Sequence, residues 1–181
     1  FVALKTARVA PPALLGEAIS VSSRGLPSQE VVQQLSQNST LGEVLASGLR
    51  ALQAHPDSSE EELRASMEGA GRAAAHTLEK HLSALATIAS AAPLLGLLGT
   101  VIGMIEIFGS QGGASATGGG NPAQLAAGIS IALYNTAFGL IVAIPALIFW
   151  RYFRARVDGY LLGMELASEQ FVRHLVRVGG K

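Results

Sequence analysis

Polar and apolar residues are distributed unevenly along this chain. Charged residues occur at ordinary frequency at both ends, but the 70 residues from His81 to Trp150 contain one formal charge, Glu106. This uncharged region divides into two apolar stretches, residues 82–108 and 122–150. Each is longer than the ~20 helical residues that cross a hydrocarbon core of about 30 Å. The pattern therefore predicts two membrane-spanning helices.

A glycine-rich segment, residues 109–121, separates the two predicted helices. It carries no charge and no lysine, so it does not match a phosphate-binding loop. A flexible turn outside the lipid is the better interpretation. Asn121 and Pro122 supply a helix N-cap and a first-turn proline, which predicts that the second span begins there.

The distribution of Lys and Arg predicts the orientation of the spans. Seven lie before the first span, six lie after Trp150, and the loop has none. By the positive-inside rule, the ends at residues 1–81 and 151–181 are cytoplasmic and the loop lies outside the membrane on the opposite side. The expected interfacial anchor of the second span consists of Trp150, Arg151, Tyr152, Arg154 and Arg156.

The charged ends have helical patterns. Residues 40–43 and 58–61 fit capping boxes, and no helix stop occurs between Ser59 and Phe108. The predicted fold is all-α: a polytopic membrane protein whose long transmembrane helices extend into a helical cytoplasmic domain. Phe1-Val-Ala-Leu4, followed by basic residues, matches the end of an earlier span, so we expect that a first membrane helix precedes this chain.

A heptad-like stripe follows Trp150, and it has two interpretations. It packs against helices of its own chain, or it forms a seam with a neighbouring subunit. The stripe consists of Val157, Leu161, Met164, Ser168, Phe171, Leu175 and Val178.

Small residues recur at helical spacing in both spans. Burial does not draw helices together in lipid, whereas small residues allow close backbone approach. They serve packing between the two spans, and their presence on several faces also favours a homo-oligomer. The predicted helix-packing residues are Gly96, Gly99, Gly103, Gly128, Ala132, Gly139 and Ala143.

Pro93 and Pro145 lie inside the two spans, where each removes a backbone hydrogen bond. A neighbouring helix, a side chain or water must satisfy the freed carbonyl group. Two interpretations remain open at each proline: a simple helix kink, or a hinge beside a hydrated gap.

Thr100 and Thr136 are the deepest polar side chains of their spans, about 12 Å and 21 Å from the outer ends at ~1.5 Å per residue. Their hydroxyl groups either bond the carbonyl four residues back or line an aqueous pathway. The Asn135 amide cannot form such a local hydrogen bond so easily, so we expect it to face protein or water. We therefore count all three as candidate pore-lining residues.

Glu106 lies near the outer end of the first span, where a carboxylate reaches solvent. A solvated side chain is the first interpretation, and an acid at the mouth of a proton path is the second. Neither span has an ionisable residue at its centre. If protons cross here, the titrating group must come from another chain.

The rest of the composition excludes several classes of protein. There is no cysteine, the thirteen acidic and thirteen basic residues cancel, and the four histidines are scattered. Disulfide scaffolds, thiolate metal sites and nucleic-acid binding are therefore not indicated. We expect no catalytic residues, no metal site and no cofactor.

Two motifs in the spans resemble the MotA/TolQ/ExbB proton-channel family, in particular its ExbB/TolQ branch. They are Ala92-Pro-Leu-Leu-Gly-Leu-Leu-Gly-Thr-Val-Ile-Gly103 and Gly128-Ile-Ser-Ile-Ala-Leu-Tyr-Asn-Thr-Ala-Phe-Gly-Leu-Ile-Val-Ala-Ile-Pro145. The resemblance covers roughly residues 80–160.

This resemblance implies a stator subunit of the bacterial inner membrane, with residues 109–121 as a periplasmic loop. With protons as the coupling ion, it couples the proton-motive force to mechanical work. It implies a homopentamer around two copies of an ExbD/TolR-like single-span partner, whose membrane Asp titrates near Thr100 and Thr136. It also implies a TonB/TolA-like periplasmic effector. Many ExbB and TolQ sequences have Glu where this chain has Ile131, which is consistent with reliance on the partner's Asp.

Two other functions fit the same residues. A non-conducting membrane scaffold needs only the small-residue faces and the helical ends, and a related stator drives gliding motility. Co-purification of a single-span protein with a membrane Asp would favour the motor, and a lone oligomer would favour the scaffold.

Overall fold

The computed structural model describes residues 9–23, 25–112 and 122–179, and every regular element among them is an α-helix. The helices are α1 (Leu14–Ser22), α2 (Gln29–Asn38), α3 (Thr40–Ala54), α4 (Glu60–Gly112) and α5 (Pro122–Gly179). The all-α prediction is confirmed. Phe1–Arg8, Asn121 and the part of the predicted loop beyond Gly112 lie outside the described residues.

Helix α4 is uninterrupted for 53 residues, as the lack of a stop signal predicted. It continues through residues 109–112, which the glycine content had assigned to the loop. Helix α5 begins at Pro122, as predicted, and runs for 58 residues. Proline suits the first turn because its missing N–H group would have no intrahelical acceptor there.

The residues that cap the N-termini of α3 and α4 each differ by one position from the predicted capping residues. Ser39, not Thr40, is the N-cap of α3, and its hydroxyl accepts a hydrogen bond from the Gly42 N–H group at 3.0 Å. At the start of α4, Ser59 and Glu62 satisfy each other's backbone N–H groups at 2.9 and 3.2 Å. This reciprocal pair is a capping box.

The chain divides into two compact units whose boundary matches the charge pattern. One unit contains residues 1–80 and 154–181, and the other contains His81–Phe153. The second unit therefore coincides with the region in which Glu106 is the only acid. A boundary that is visible in the composition is also a boundary in the packing.

The first unit has a hydrophobic core to which all five helices contribute. Leu45, Leu63 and Phe171 are completely buried in it. The α5 stripe packs here: Val157, Met164 and Leu175 are also buried, and Leu161 packs against the core. The stripe therefore packs within its own chain, which confirms the first of its two interpretations.

The second unit consists of the parts of α4 and α5 that are long and apolar enough to cross a membrane. Only 6% and 17% of their most apolar 18-residue windows are buried. Large side chains such as Leu94, Ile105 and Ile141 are more than 60% exposed. The core helix of a water-soluble protein would be mostly buried, so the low burial favours a lipid environment.

Candidate functional site

Close contacts join α4 and α5 along a seam within the second unit. A Cβ atom built on Gly103 would contact Ala132 at 3.3 Å, and the Ile107 side chain approaches Gly128 in the same way. Residues later in α4 therefore contact residues earlier in α5. This order makes the two segments antiparallel, as the sequence predicted.

Gly96 and Gly139 bring the backbones of α4 and α5 close together on this seam. A Cβ atom on Gly139 would lie 2.6 Å from the Ala92 carbonyl oxygen and 3.1 Å from the Gly96 Cα atom. A Cβ atom on Gly96 would lie 2.8 Å from the Asn135 carbonyl oxygen. No side chain fits at such distances, so glycine is required at both positions for the helices to meet.

Thr136 connects the two helices at this contact. Its hydroxyl donates a hydrogen bond to the Gly96 carbonyl oxygen, with 3.4 Å between the oxygen atoms. One interpretation of the sequence was a local bond to the carbonyl four residues back, and the structure instead gives a bond to the other helix. The glycine makes this possible because its backbone is not covered by a side chain.

Thr100 lies one turn beyond Gly96 on α4 and bonds its own helix. Its hydroxyl donates to the Leu97 carbonyl oxygen at 2.6 Å, which is three residues back, not four. It borders an open depression that is otherwise apolar and that does not include Thr136 or Asn135. The other residues of that depression are Val101, Met104, Ile105 and Phe108.

Asn135 lies beside Gly99 on a separate groove of the same seam. A Cβ atom on Gly99 would contact the Asn135 amide nitrogen at 3.0 Å. The groove has a volume of about 460 Å³, and Asn135 is its one polar side chain. Its other lining residues are Ala92, Leu95, Gly96, Gly99, Phe138, Gly139 and Val142.

The remaining candidate residues surround this seam. Ala132 and Ala143 are buried, at 1% and 5% exposure, whereas Glu106 is exposed and Ile131 is 66% exposed. Both long helices continue through their proline residues, Pro93 and Pro145, without interruption. The kinks at these prolines stay a prediction.

The structure also assigns partners to two residues whose contacts the sequence did not predict. In the first unit, Arg154 pairs with Glu79 of α4 at 3.0 Å and with Asp158 of α5 at 3.2 Å. The spacing of Arg154 and Asp158 could have indicated their pair, but Glu79 is 75 residues away in sequence. His174 lies 3.0 Å from the Ser22 hydroxyl, a contact between α5 and α1 that no local spacing indicates.

Comparison with known proteins identifies the family. The model of the MotA/TolQ/ExbB proton channel family matches residues 36–166, which is well over half of the chain and includes most of both long helices. The chain therefore belongs to the MotA/TolQ/ExbB proton channel family. Together with the two exposed apolar helices, this membership makes it a membrane protein of the ExbB type.

Individual relatives are similar over parts of the chain. It is 48% identical over 71 residues to biopolymer transport protein exbB1 of Vibrio cholerae serotype O1, a match that covers 39% of this chain and 30% of that protein. It is 42% identical over 88 residues to biopolymer transport protein ExbB of Aquifex aeolicus, covering 49% and 57%. The putative biopolymer transport protein ExbB homolog of Methanothermobacter thermautotrophicus is 30% identical over 170 residues, covering 91% and 56%. In each match the chain covers less than two thirds of the relative's length.

Proposed function

We propose that this chain is a stator and proton-channel subunit of an inner-membrane motor. It couples the proton-motive force to mechanical work on a periplasm-spanning partner. The observation that carries the proposal is the proton-channel family match over residues 36–166. The biopolymer transport relatives support the same kind of energy transduction. In this role the chain forms the channel and catalyses no reaction.

The distribution of acidic residues in the second unit supports a titrating group that another subunit supplies. Glu106 is the only carboxylate there among the described residues, and it is exposed near the outer end of α4. A proton relay needs an ionisable group deep in the membrane. We infer that an ExbD/TolR-like single-span subunit supplies an Asp at this depth and that protons are the coupling ion. No cofactor takes part.

The exposed apolar surface of α4 and α5 supports assembly into an oligomer. Residues such as Leu95 and Phe138 are 65% exposed, and they face lipid or other subunits. In the proposed assembly, five copies surround two copies of the single-span partner, and a TonB/TolA-like protein receives the work. Both long ends are cytoplasmic because Lys and Arg are concentrated there.

Thr100 and Thr136 are the proposed pore-lining residues of this assembly. Each hydroxyl proton is directed to a backbone carbonyl, at Leu97 and Gly96 respectively. Their oxygen lone pairs therefore remain available to accept a hydrogen bond from water or from a protonated carboxyl group.

Reconstitution with the single-span partner tests the function directly. The two proteins are co-expressed, purified together and placed in vesicles that contain a pH-sensitive dye. We expect the complex to conduct protons, and we expect the partner's membrane Asp→Asn variant to assemble without conducting. Co-purification without proton flux in the unmodified complex would contradict the channel and favour a scaffold. A lone oligomer of this chain, without a single-span protein, would also favour the scaffold.

A further inference from the structure

Five Ser and Thr hydroxyl groups of the second unit donate to backbone carbonyl groups within the unit. The Thr87, Ser90 and Ser130 hydroxyls each donate to the carbonyl four residues back, at 2.9 Å. Thr100 and Thr136 also donate to backbone carbonyls. A hydroxyl group has one proton, so a hydroxyl that already donates it to a carbonyl can accept a further hydrogen bond but cannot donate a second one.

Asn135 differs from these hydroxyl groups. Asn135 is exposed; its side-chain amide has two N–H donors and an acceptor oxygen, and it makes no hydrogen bond or ion pair with the part of the chain that the structure describes. It is about 20 Å from Pro122 along the helix, at ~1.5 Å per residue. An unsatisfied amide at that depth is costly because hydrocarbon cannot hydrogen-bond it. The amide therefore needs a hydrogen-bonding partner other than the residues that the structure describes.

The groove around Asn135 limits what that partner can be. Gly96 and Gly99 leave space beside the amide, and the rest of the groove is apolar. The titratable and charged side chains of this unit, among the described residues, are His81 and Glu106 on α4 and Tyr134, Arg151 and Tyr152 on α5. None of them lines the groove. A polar group that enters the groove therefore has the Asn135 amide as its one side-chain hydrogen-bond donor.

We propose that the Asn135 amide hydrogen-bonds the titrating carboxyl group of the other membrane helix in both of its protonation states. The amide N–H donates to the carboxylate, and the amide oxygen accepts from the carboxylic acid. A Lys or Arg at this position would hold the carboxylate and resist its protonation, whereas a neutral amide serves both states. Asn135 itself neither gains nor loses a proton. It is a positioning residue, and this role rests on the proposed proton-channel function.

The chemistry of the groove favours a carboxyl-bearing helix over a second copy of this chain. In the spans of a second copy, the same hydroxyl groups already donate to backbone carbonyls. The only carboxylate of those spans, Glu106, lies near the outer end of α4. Such a copy would bring to the depth of Asn135 only its own Asn135 amide and Tyr134 phenol, and no acid. A helix with a central carboxyl group satisfies the amide and supplies the ionisable group that this unit does not have at its centre.

The test measures proton flux against pH for the complex of this chain with its single-span partner in vesicles. In Asn135→Leu the carboxylate loses a strong hydrogen bond to a charged group, and the carboxylic acid loses a weaker neutral one, so deprotonation requires a higher pH. We expect the pH at half-maximal flux to rise by about one unit, which corresponds to the difference between these two hydrogen bonds. Asn135→Gln restores the wild-type profile, and the matched control Tyr134→Phe removes the neighbouring phenol donor without a shift.

Three results would overturn the inference. An unchanged pH profile in Asn135→Leu means that the amide does not contact the titrating group. Loss of the oligomer or of the partner in Asn135→Leu, with recovery in Asn135→Gln, makes the amide an assembly contact between subunits. If the unmodified complex conducts no protons, the proposed function fails, and this role fails with it. The wild-type control separates that last case from the first two.

Discussion

The Thr136 hydroxyl donates a hydrogen bond to the carbonyl oxygen of Gly96 on the facing helix. In a regular α-helix, this carbonyl is also the acceptor for the backbone N–H group of Thr100. The two proposed pore-lining threonines are therefore connected through one backbone group. A change in the position of Thr136 would act on the helical turn that carries Thr100.

The first prediction concerns the two threonine hydroxyl groups. Thr136→Val and Thr100→Val remove an oxygen acceptor at nearly constant volume, so proton-driven activity should fall while the oligomer still assembles. Thr136→Ser and Thr100→Ser keep the hydroxyl and should retain most of the activity. Flux in vesicles and size-exclusion chromatography measure the two properties. Normal proton-driven activity in the Thr100→Val/Thr136→Val double variant would show that neither hydroxyl lines the pathway.

The second prediction concerns the contact between Gly139 of α5 and the Ala92 carbonyl group of α4. Gly139→Ala places a Cβ atom 2.6 Å from the Ala92 carbonyl oxygen, so the helices must separate. We expect a loss of about 1–3 kcal/mol in the free energy of unfolding, the usual cost of overpacking.

Gly109→Ala is the matched control for this contact. Gly109 belongs to the same unit, but a Cβ atom there would meet nothing within 4 Å. Denaturant titration in detergent compares the two variants. Equal stability of Gly139→Ala and Gly109→Ala would mean that the seam does not require glycine.

The third prediction is that Glu106 matters less for proton flux than the deeper residue Thr136. Its side chain is exposed near the outer end of α4, so Glu106→Gln should leave proton flux within about a factor of ten of wild type. The comparison is made with the Thr136→Val variant in the same vesicles. Complete loss of flux in Glu106→Gln would make this carboxylate a required member of the proton pathway.

The fourth prediction concerns the core of the first unit. Phe171 is 0% exposed, so Phe171→Ala should cost about 3–5 kcal/mol of stability and make this unit sensitive to limited proteolysis. Leu166, five residues earlier, is 53% exposed. Leu166→Ala should change stability by less than about 0.5 kcal/mol. Equal proteolytic resistance of the two variants would contradict the burial of Phe171.

The fifth prediction concerns the Arg154 ion pairs. The Arg154 and Glu79 side chains are 46% and 37% exposed, so solvent screens their attraction. A double-mutant cycle with Arg154→Met and Glu79→Gln should give a coupling energy below about 1 kcal/mol that decreases with added salt. A larger coupling that does not respond to salt would require a pair that is shielded from water.

Much of the fold could be predicted because it depends on local or compositional signals. The scarcity of charge between His81 and Trp150, where Glu106 is the one charged residue, predicted both membrane helices, and nearly the same region, His81–Phe153, forms a separate compact unit. Pro122 marked the start of α5. Capping was less certain because neighbouring hydroxyl residues compete: Ser39 precedes Thr40, and Ser58 precedes Ser59, so the pattern alone did not select the residue that caps.

The candidate site could be predicted only as a set of residue types. Small residues indicated that helices approach closely, but their spacing did not show which glycine meets which. The hydroxyl of Thr136 had two possible acceptors, one local and one on another helix. The choice depends on the register between α4 and α5, which is a property of segments about 40 residues apart in sequence.

The sequence by itself determined the class of protein, because hydrophobicity, charge and helix-forming patterns act locally and can be counted residue by residue. It also determined that no acid of its own lies at the centre of either span. Only the tertiary structure decided that the α5 stripe packs within its own chain, that Gly96 meets Gly139, and that the Asn135 amide lies beside Gly99. Those facts depend on which surfaces come within contact distance, and packing between distant segments sets that distance.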